Sequence, residues 1–126
     1  MSKMTMVELE KELTGFIGTE GYHKCTIVPN YVCTDGVLHM AKTMGAFWLL
    51  DAIASYQRKE EMQFWKLTVK GTKAELTMQE DSDQPILVKQ KFSYTDFPEG
   101  EFNIWVGIQP TEDRGNLFVM MLPNEY

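Results

Sequence analysis

The chain carries two histidines and two cysteines, and all four fall within one short stretch: His23, Cys25, Cys33 and His39. Imidazole and thiolate are zinc-type ligands. Their spacing is H-x-C, seven residues, C, five residues, H, without the paired CxxC or HxxxH chelates by which one turn of chain grips an ion twice. The expectation is therefore two reduced, half-buried cysteines and two exposed histidines, with no metal and no cofactor.

Carboxylates offer a second chemistry. Asp51 follows Ala46-Phe47-Trp48-Leu49-Leu50 in what reads as the most buried helix. A lone ionised carboxylate in an apolar core costs on the order of several kcal/mol, so it needs a partner or water. By helical spacing the partners are Ser55 and Arg58; tertiary candidates are Tyr or Trp donors and the backbone amides of the closing Pro123-Asn124-Glu125-Tyr126. The preferred expectation is a polar latch fixing a loop or the chain end onto the core. The alternative is a functional carboxylate in a pocket between helix and sheet, with Asp35, His39, Trp48 and Tyr126 around it and His23 nearby. The turns Thr34-Asp35-Gly36 and Thr95-Asp96-Phe97-Pro98 could each supply an acid or base, but Thr-Asp ahead of a helix is first a cap, and Asp before an aromatic and Pro is first a turn.

Elements must hold these residues in place. Met6, Leu9 and Leu13 recur at helical spacing over residues 6–14, before Gly15. Residues 22–28 alternate like a strand that Pro29 and Asn30 end. Thr34 or Asp35 can cap a helix through Met44, with Gly45 as its stop, and a second helix over 46–58 is apolar on nearly every side. From residue 63 the period falls to two. The segments 63–70, 73–79, 86–94, 102–108 and 117–122 read as strands, with a hairpin at Gly71-Thr72 and polar turns between the others. This order predicts an α+β fold in one domain over residues 1–126: an antiparallel meander of about five strands, with a sixth N-terminal one at 22–28, covered on one face by about three helices. Phe64, Trp105, Phe118 and Met120 are expected on the uncovered face, a surface for a partner or for a homodimer.

The charge is −6 and uneven: residues 1–73 hold nine Lys/Arg against eight Asp/Glu, and residues 74–126 hold three against ten. That balance argues against direct nucleic-acid binding, which runs on cations displacing counterions from phosphates. It suits an acidic face occupying another protein's basic groove. No GxGxxG, GxxxxGK[ST], GxSxG or HExxH occurs, so dinucleotide, phosphate-loop, serine-hydrolase and zincin chemistry lack support. The Gly18–Gly21 segment reads as a loop, not a phosphate cradle. No continuous apolar stretch suggests a signal peptide or membrane span, so a cytoplasmic location without membrane partners is expected.

TDGVLHMAKTMGAFWLLDAIASYQ, FWKLTV, YTDFP and LPNEY occur in this order. Together they resemble the segments of a family of short bacterial and phage proteins classed only as a domain of unknown function. The resemblance covers nearly the whole chain. It implies a bacterial or phage source and one domain, and carries no activity and no catalytic residue. The positions it picks out are Thr34, Asp35, Gly36, Trp48, Asp51, Thr95, Asp96, Pro98, Pro123, Glu125 and Tyr126.

The functional expectation is a non-catalytic, acidic interaction protein that binds a protein or ribonucleoprotein. The contact would be made by Glu80, Asp81 and Asp83, by Glu99 and Glu101, and by Glu112 and Asp113. Its most concrete form is a phage-type, anti-CRISPR-like inhibitor of a host nucleic-acid machine. The alternative is a small enzyme or ligand-binding domain around Asp51.

Overall fold

A computed structural model describes residues 4–17, 21–81, 83–113 and 115–125; the Tyr126 and Gly18–Gly21 expectations fall at or across the edges of these ranges, and Tyr126 itself lies outside them. Helix α1 (Met6–Leu13) opens with a reciprocal cap, Thr5 accepting from the Glu8 amide while Glu8 accepts from the Thr5 amide. It buries Met6, Leu9 and Leu13, as their spacing requires. Strand β1 (Tyr31–Cys33) leads into α2 (Asp35–Met44), capped by the Thr34 hydroxyl and closed by Gly45 in the left-handed region, and α3 (Phe47–Ser55) follows at once. Five strands complete the chain: β2 (Met62–Lys70), β3 (Lys73–Gln79), β4 (Val88–Phe92), β5 (Gly100–Pro110) and β6 (Asn116–Met121), before a short 3₁₀ turn over Pro123–Glu125.

The strands form one sheet in the order β1-β6-β5-β2-β3-β4, with the helices on one face. The α+β class is as expected. The sheet is mixed, because β1 runs parallel to β6 while every other pairing is antiparallel. The N-terminal strand is also displaced. Within residues 22–28 only His23 makes a bridge, to Cys33, and Ile27 is almost fully exposed. Asn30, at φ 69°, turns the chain so that the next three residues enter the sheet, anchored where Phe118 donates to the Asn30 carbonyl and Thr34 donates to the Met120 carbonyl. A short alternating run could not show which side of that turn would find a partner strand.

The meander also breaks after β4. Residues 93–99 cross back beneath the β2–β3 turn, where the Thr95 amide donates to the Thr72 carbonyl at 2.7 Å and the Gly71 amide to Glu99 Oε1 at 2.6 Å. Phe97 is buried against Phe102 along this path. The crossing seats β5 beside β2, so that Phe64 faces Trp105 across the two strands.

One face of the sheet meets the helices through Trp65, Leu67, Val69, Leu76, Met78, Ile104 and Val106, packed against Leu49, Leu50, Ile53 and the buried side of α2. Burial of this set is the main driving force for the fold. Phe64 and Trp105 lie on the other face, as expected, in an edge-to-face pair 5.0 Å apart. Phe118 and Met120 do not. Their register with Ile108 and Val106 turns them to the helix side, and Met120 is fully buried. Met121, opposite Trp105, takes the outward place. In a strand of period two, a one-residue error in register exchanges the faces.

Candidate functional site

Asp51 is exposed, contrary to the buried latch or pocket expected of it. Helix α3 buries Leu49, Leu50, Ile53 and Ala54, while Phe47, Asp51 and Ser55 fall in line four residues apart on the solvent side. The misreading began with Phe47, an aromatic residue that is 37% exposed and therefore no marker of the core.

A carboxylate latch does exist, and it is Glu125. Thr34 donates its hydroxyl to Glu125 Oε1 at 2.5 Å, Gly36 its amide to Oε2 at 3.0 Å, and Leu122 its amide to Oε1 at 3.1 Å. The Gly36 amide belongs to the first turn of α2, so the carboxylate satisfies a donor that the helix cannot, at the end where the dipole favours negative charge. The approach demands glycine. A Cβ on Gly36 would come within 2.6 Å of Leu122 Cδ1 and 2.8 Å of Glu125 Oε1. Asn124 adds a second tie, donating to the Phe16 carbonyl at 2.8 Å.

The histidines converge on one groove, beside this latch. His23 Nε2 lies 2.6 Å from Asp35 Oδ1, and His39 Nε2 lies 2.7 Å from Glu12 Oε1, all four side chains being part-exposed. Phe16 packs on the His39 ring, and Phe16, His23, Asp35, Leu38, His39 and Lys42 line the groove. Asp35 and His39 line this one groove, whereas Asp51, on which the expected pocket was centred, is elsewhere and Trp48 lines a different hollow with Phe92, Tyr94, Thr95 and Asp96. An imidazole held by a carboxylate can accept or deliver a proton. Glu12, which sequence reading missed, sits on α1 one turn after Glu8 and is brought to His39 by helix packing.

Cys25 and Cys33 are both free and buried. The Cys25 thiol beside it, followed by burial, pushes the Cys33 thiol far above its ordinary range. A thiol so placed is a poor nucleophile and a poor metal ligand. Among the described residues no cluster of three or more His, Cys, Asp or Glu side chains is placed to hold a metal ion.

A polar network ties the loop between α3 and β2 to the sheet. Gln63, fully buried, donates to the carbonyls of Arg58 at 3.2 Å and Glu60 at 3.3 Å and accepts from the Trp65 indole at 2.9 Å. Arg58 pairs with Glu60 through Nε at 3.1 Å and a terminal nitrogen at 2.6 Å. The guanidinium holds the Glu60 carboxyl below the usual carboxylate range. The alternation of 63–70 contained a signal for Gln63, which is in phase with Trp65, Leu67 and Val69.

The acidic loops divide between the two ends of the sheet. Phe64 is opposite Gln79 and Met62 opposite Gly107, so the loop with Glu80, Asp81 and Asp83 and the turn with Glu112 and Asp113 leave from one end. All five side chains are exposed. Glu99 and Glu101 are at the other end, Glu99 bonded to the Gly71 amide and Glu101 4.0 Å from Lys66.

Among the described residues no helix is long and apolar enough to cross a membrane. No curated protein matches the chain, and no solved structure does. Residues 7–126 match the model of the family of unknown function DUF6876, and the chain belongs to that family.

Proposed function

We propose that this chain is a non-catalytic interaction protein of the cytoplasm, setting the acidic end of its sheet against a basic surface of a larger protein or ribonucleoprotein. The observation that carries the reading is the shared end of the sheet from which Glu80, Asp81, Asp83, Glu112 and Asp113 project, all five exposed, with Phe64 opposite Gln79 where the first of these loops leaves the sheet. Charge beside half-exposed aromatic rings is the composition of a steered protein contact. Its concrete form is a phage-type inhibitor covering the basic channel of a host nucleic-acid machine such as a CRISPR effector, with no nucleic acid bound directly. The test is a tagged pull-down from bacterial lysate with and without nuclease, followed by binding measurements on the captured partner. Glu80→Lys, Asp81→Lys and Asp83→Lys together should weaken capture at least about tenfold, with a steep salt dependence. Full retention at physiological salt would remove this loop from the contact.

A second reading draws on the groove where His23–Asp35 and His39–Glu12 meet. It makes the chain a small enzyme or ligand-binding domain, centred on these pairs and no longer on Asp51. His23→Gln and Asp35→Asn should then abolish binding of a ligand found by screening while leaving the fold intact; loss of folding with no ligand effect would assign the pairs to structure.

A further inference from the structure

The uncovered face of the sheet has a charge pattern that the net charge conceals. Lys66, Lys70, Lys73, Lys89 and Lys91 all point outward from β2, β3 and β4, against Glu75 and Glu101 as the acids on the same face of the strands among the described residues. Lys89 lies 3.9 Å from Glu75 and Lys66 4.0 Å from Glu101, exposed pairs too long and too wet to neutralise the patch. A chain of net charge −6 thus presents a basic strip on β3 and β4, an aromatic pair at Phe64 and Trp105, and an acidic loop at 80–83 beyond the far end of that strip.

We propose that this face takes a second copy of the same chain, related by a two-fold axis that lies in the interface and crosses the strands near Phe64 and Trp105. Rotation about such an axis reverses the strand direction and keeps the lateral order. The aromatic pair then packs on its own counterpart, and the 80–83 loop of each copy lies over Lys89 and Lys91 of the other. Isologous contacts require this kind of self-complementarity: each acidic loop needs a basic strip at the same lateral position and the opposite end. The pairing of β3 with β4, with Met78 opposite Val88 and Ala74 opposite Phe92, supplies it. The area fits a weak, reversible dimer. The six strands hold 41 residues, which at about 3.3 Å per residue and about 4.8 Å between strands make a face of roughly 650 Å² before side-chain relief, short of the ~800 Å² per partner of a standard interface, so association is expected toward high micromolar concentration. The acidic loop beside the rings disfavours a nucleic-acid strand as occupant, because phosphates would meet carboxylates there. Since the 80–83 loop serves both contacts, self-association competes with capture of a basic partner, and either can fail without the other.

Sedimentation velocity of the full chain, from low to high micromolar concentration and at low and high salt, tests the proposal. The wild type should show a monomer–dimer equilibrium that weakens with salt. Lys89→Glu with Lys91→Glu, and separately Glu80→Lys with Asp81→Lys and Asp83→Lys, should each weaken self-association at least about tenfold. Mixing the two variants should restore a heterodimer, because the reversed loop then meets the reversed strip and the unaltered loop meets the unaltered strip. These substitutions are on the surface and leave the core alone; Trp105→Ser is the companion variant for the apolar centre. A monomer at every concentration, a dimer indifferent to both charge reversals, or a failure of the mixed pair to associate would overturn the proposal. So would wild-type monomer that binds a single-stranded oligonucleotide through Lys89 and Lys91.

Discussion

Glu125 Oε2 accepts the Gly36 amide hydrogen at 3.0 Å across 89 positions of sequence, joining the end of the chain to the first turn of α2. With Thr34 and Leu122 also donating, one carboxylate holds three donors in place. Charge-assisted bonds of this kind are individually worth about 1.5–3 kcal/mol and leave unsatisfied donors when removed. Glu125→Ala should lower the unfolding free energy by about 3 kcal/mol and Glu125→Gln by about 1 kcal/mol, read from urea denaturation. Gly36→Ala should cost about 1–3 kcal/mol through overlap with Leu122 and Glu125. The same loss in the Gly36→Ala, Glu125→Ala double variant as in either alone would show that both act through one contact.

Asp51→Ala should change stability by less than about 0.5 kcal/mol, since the side chain is exposed mid-helix and alanine is the better helix former. A loss of several kcal/mol by the same measurement would restore a buried role.

Gln63→Ala should cost about 2 kcal/mol, because it leaves the Trp65 indole N–H buried without its acceptor and frees the carbonyls of Arg58 and Glu60. Trp65 should report this directly, as a shift in its fluorescence on substitution of Gln63 in the folded protein.

Acid should weaken the fold partly through Glu60. Its folded pKa is lowered by Arg58, so in the acid range the unfolded chain binds the proton more readily. The contribution is complete above the ordinary carboxylate range, about 4.3, and is lost as pH falls through the folded value. Glu60→Gln should lack this part of the acid transition when stability is followed against pH.

Tyr31 gives the opposite sign at alkaline pH. Burial first, and the Glu60 charge second, raise its phenol above the ordinary value, so its contribution is complete below about 10 and is lost as pH rises through the folded value. Among the described residues its hydroxyl is buried without a hydrogen-bond partner. Tyr31→Phe should therefore hold or gain up to about 1 kcal/mol at neutral pH and flatten the alkaline limb of the stability profile.

Local pattern alone determined much of this protein. The capping residues Thr5, Thr34 and Gly45 bounded their helices, because a cap is a contact within a few residues of chain. The alternation from residue 63 onward placed the strands and put Trp65, Leu67 and Val69 on one buried face. Only the tertiary structure decided the rest. Which of two short segments became β1, where β5 was seated and which pleat of β6 faced inward are choices of strand pairing, and pairing depends on partners tens of residues away. The same holds for the candidate sites. Asp51 and Glu125 are both acids next to apolar runs, and nothing in either neighbourhood tells them apart. Packing left one in water, while the return of the chain end to α2 placed the other over Gly36. The basic strip was invisible for a related reason. Lysines on three strands count only toward a net negative total until the sheet aligns them on one face.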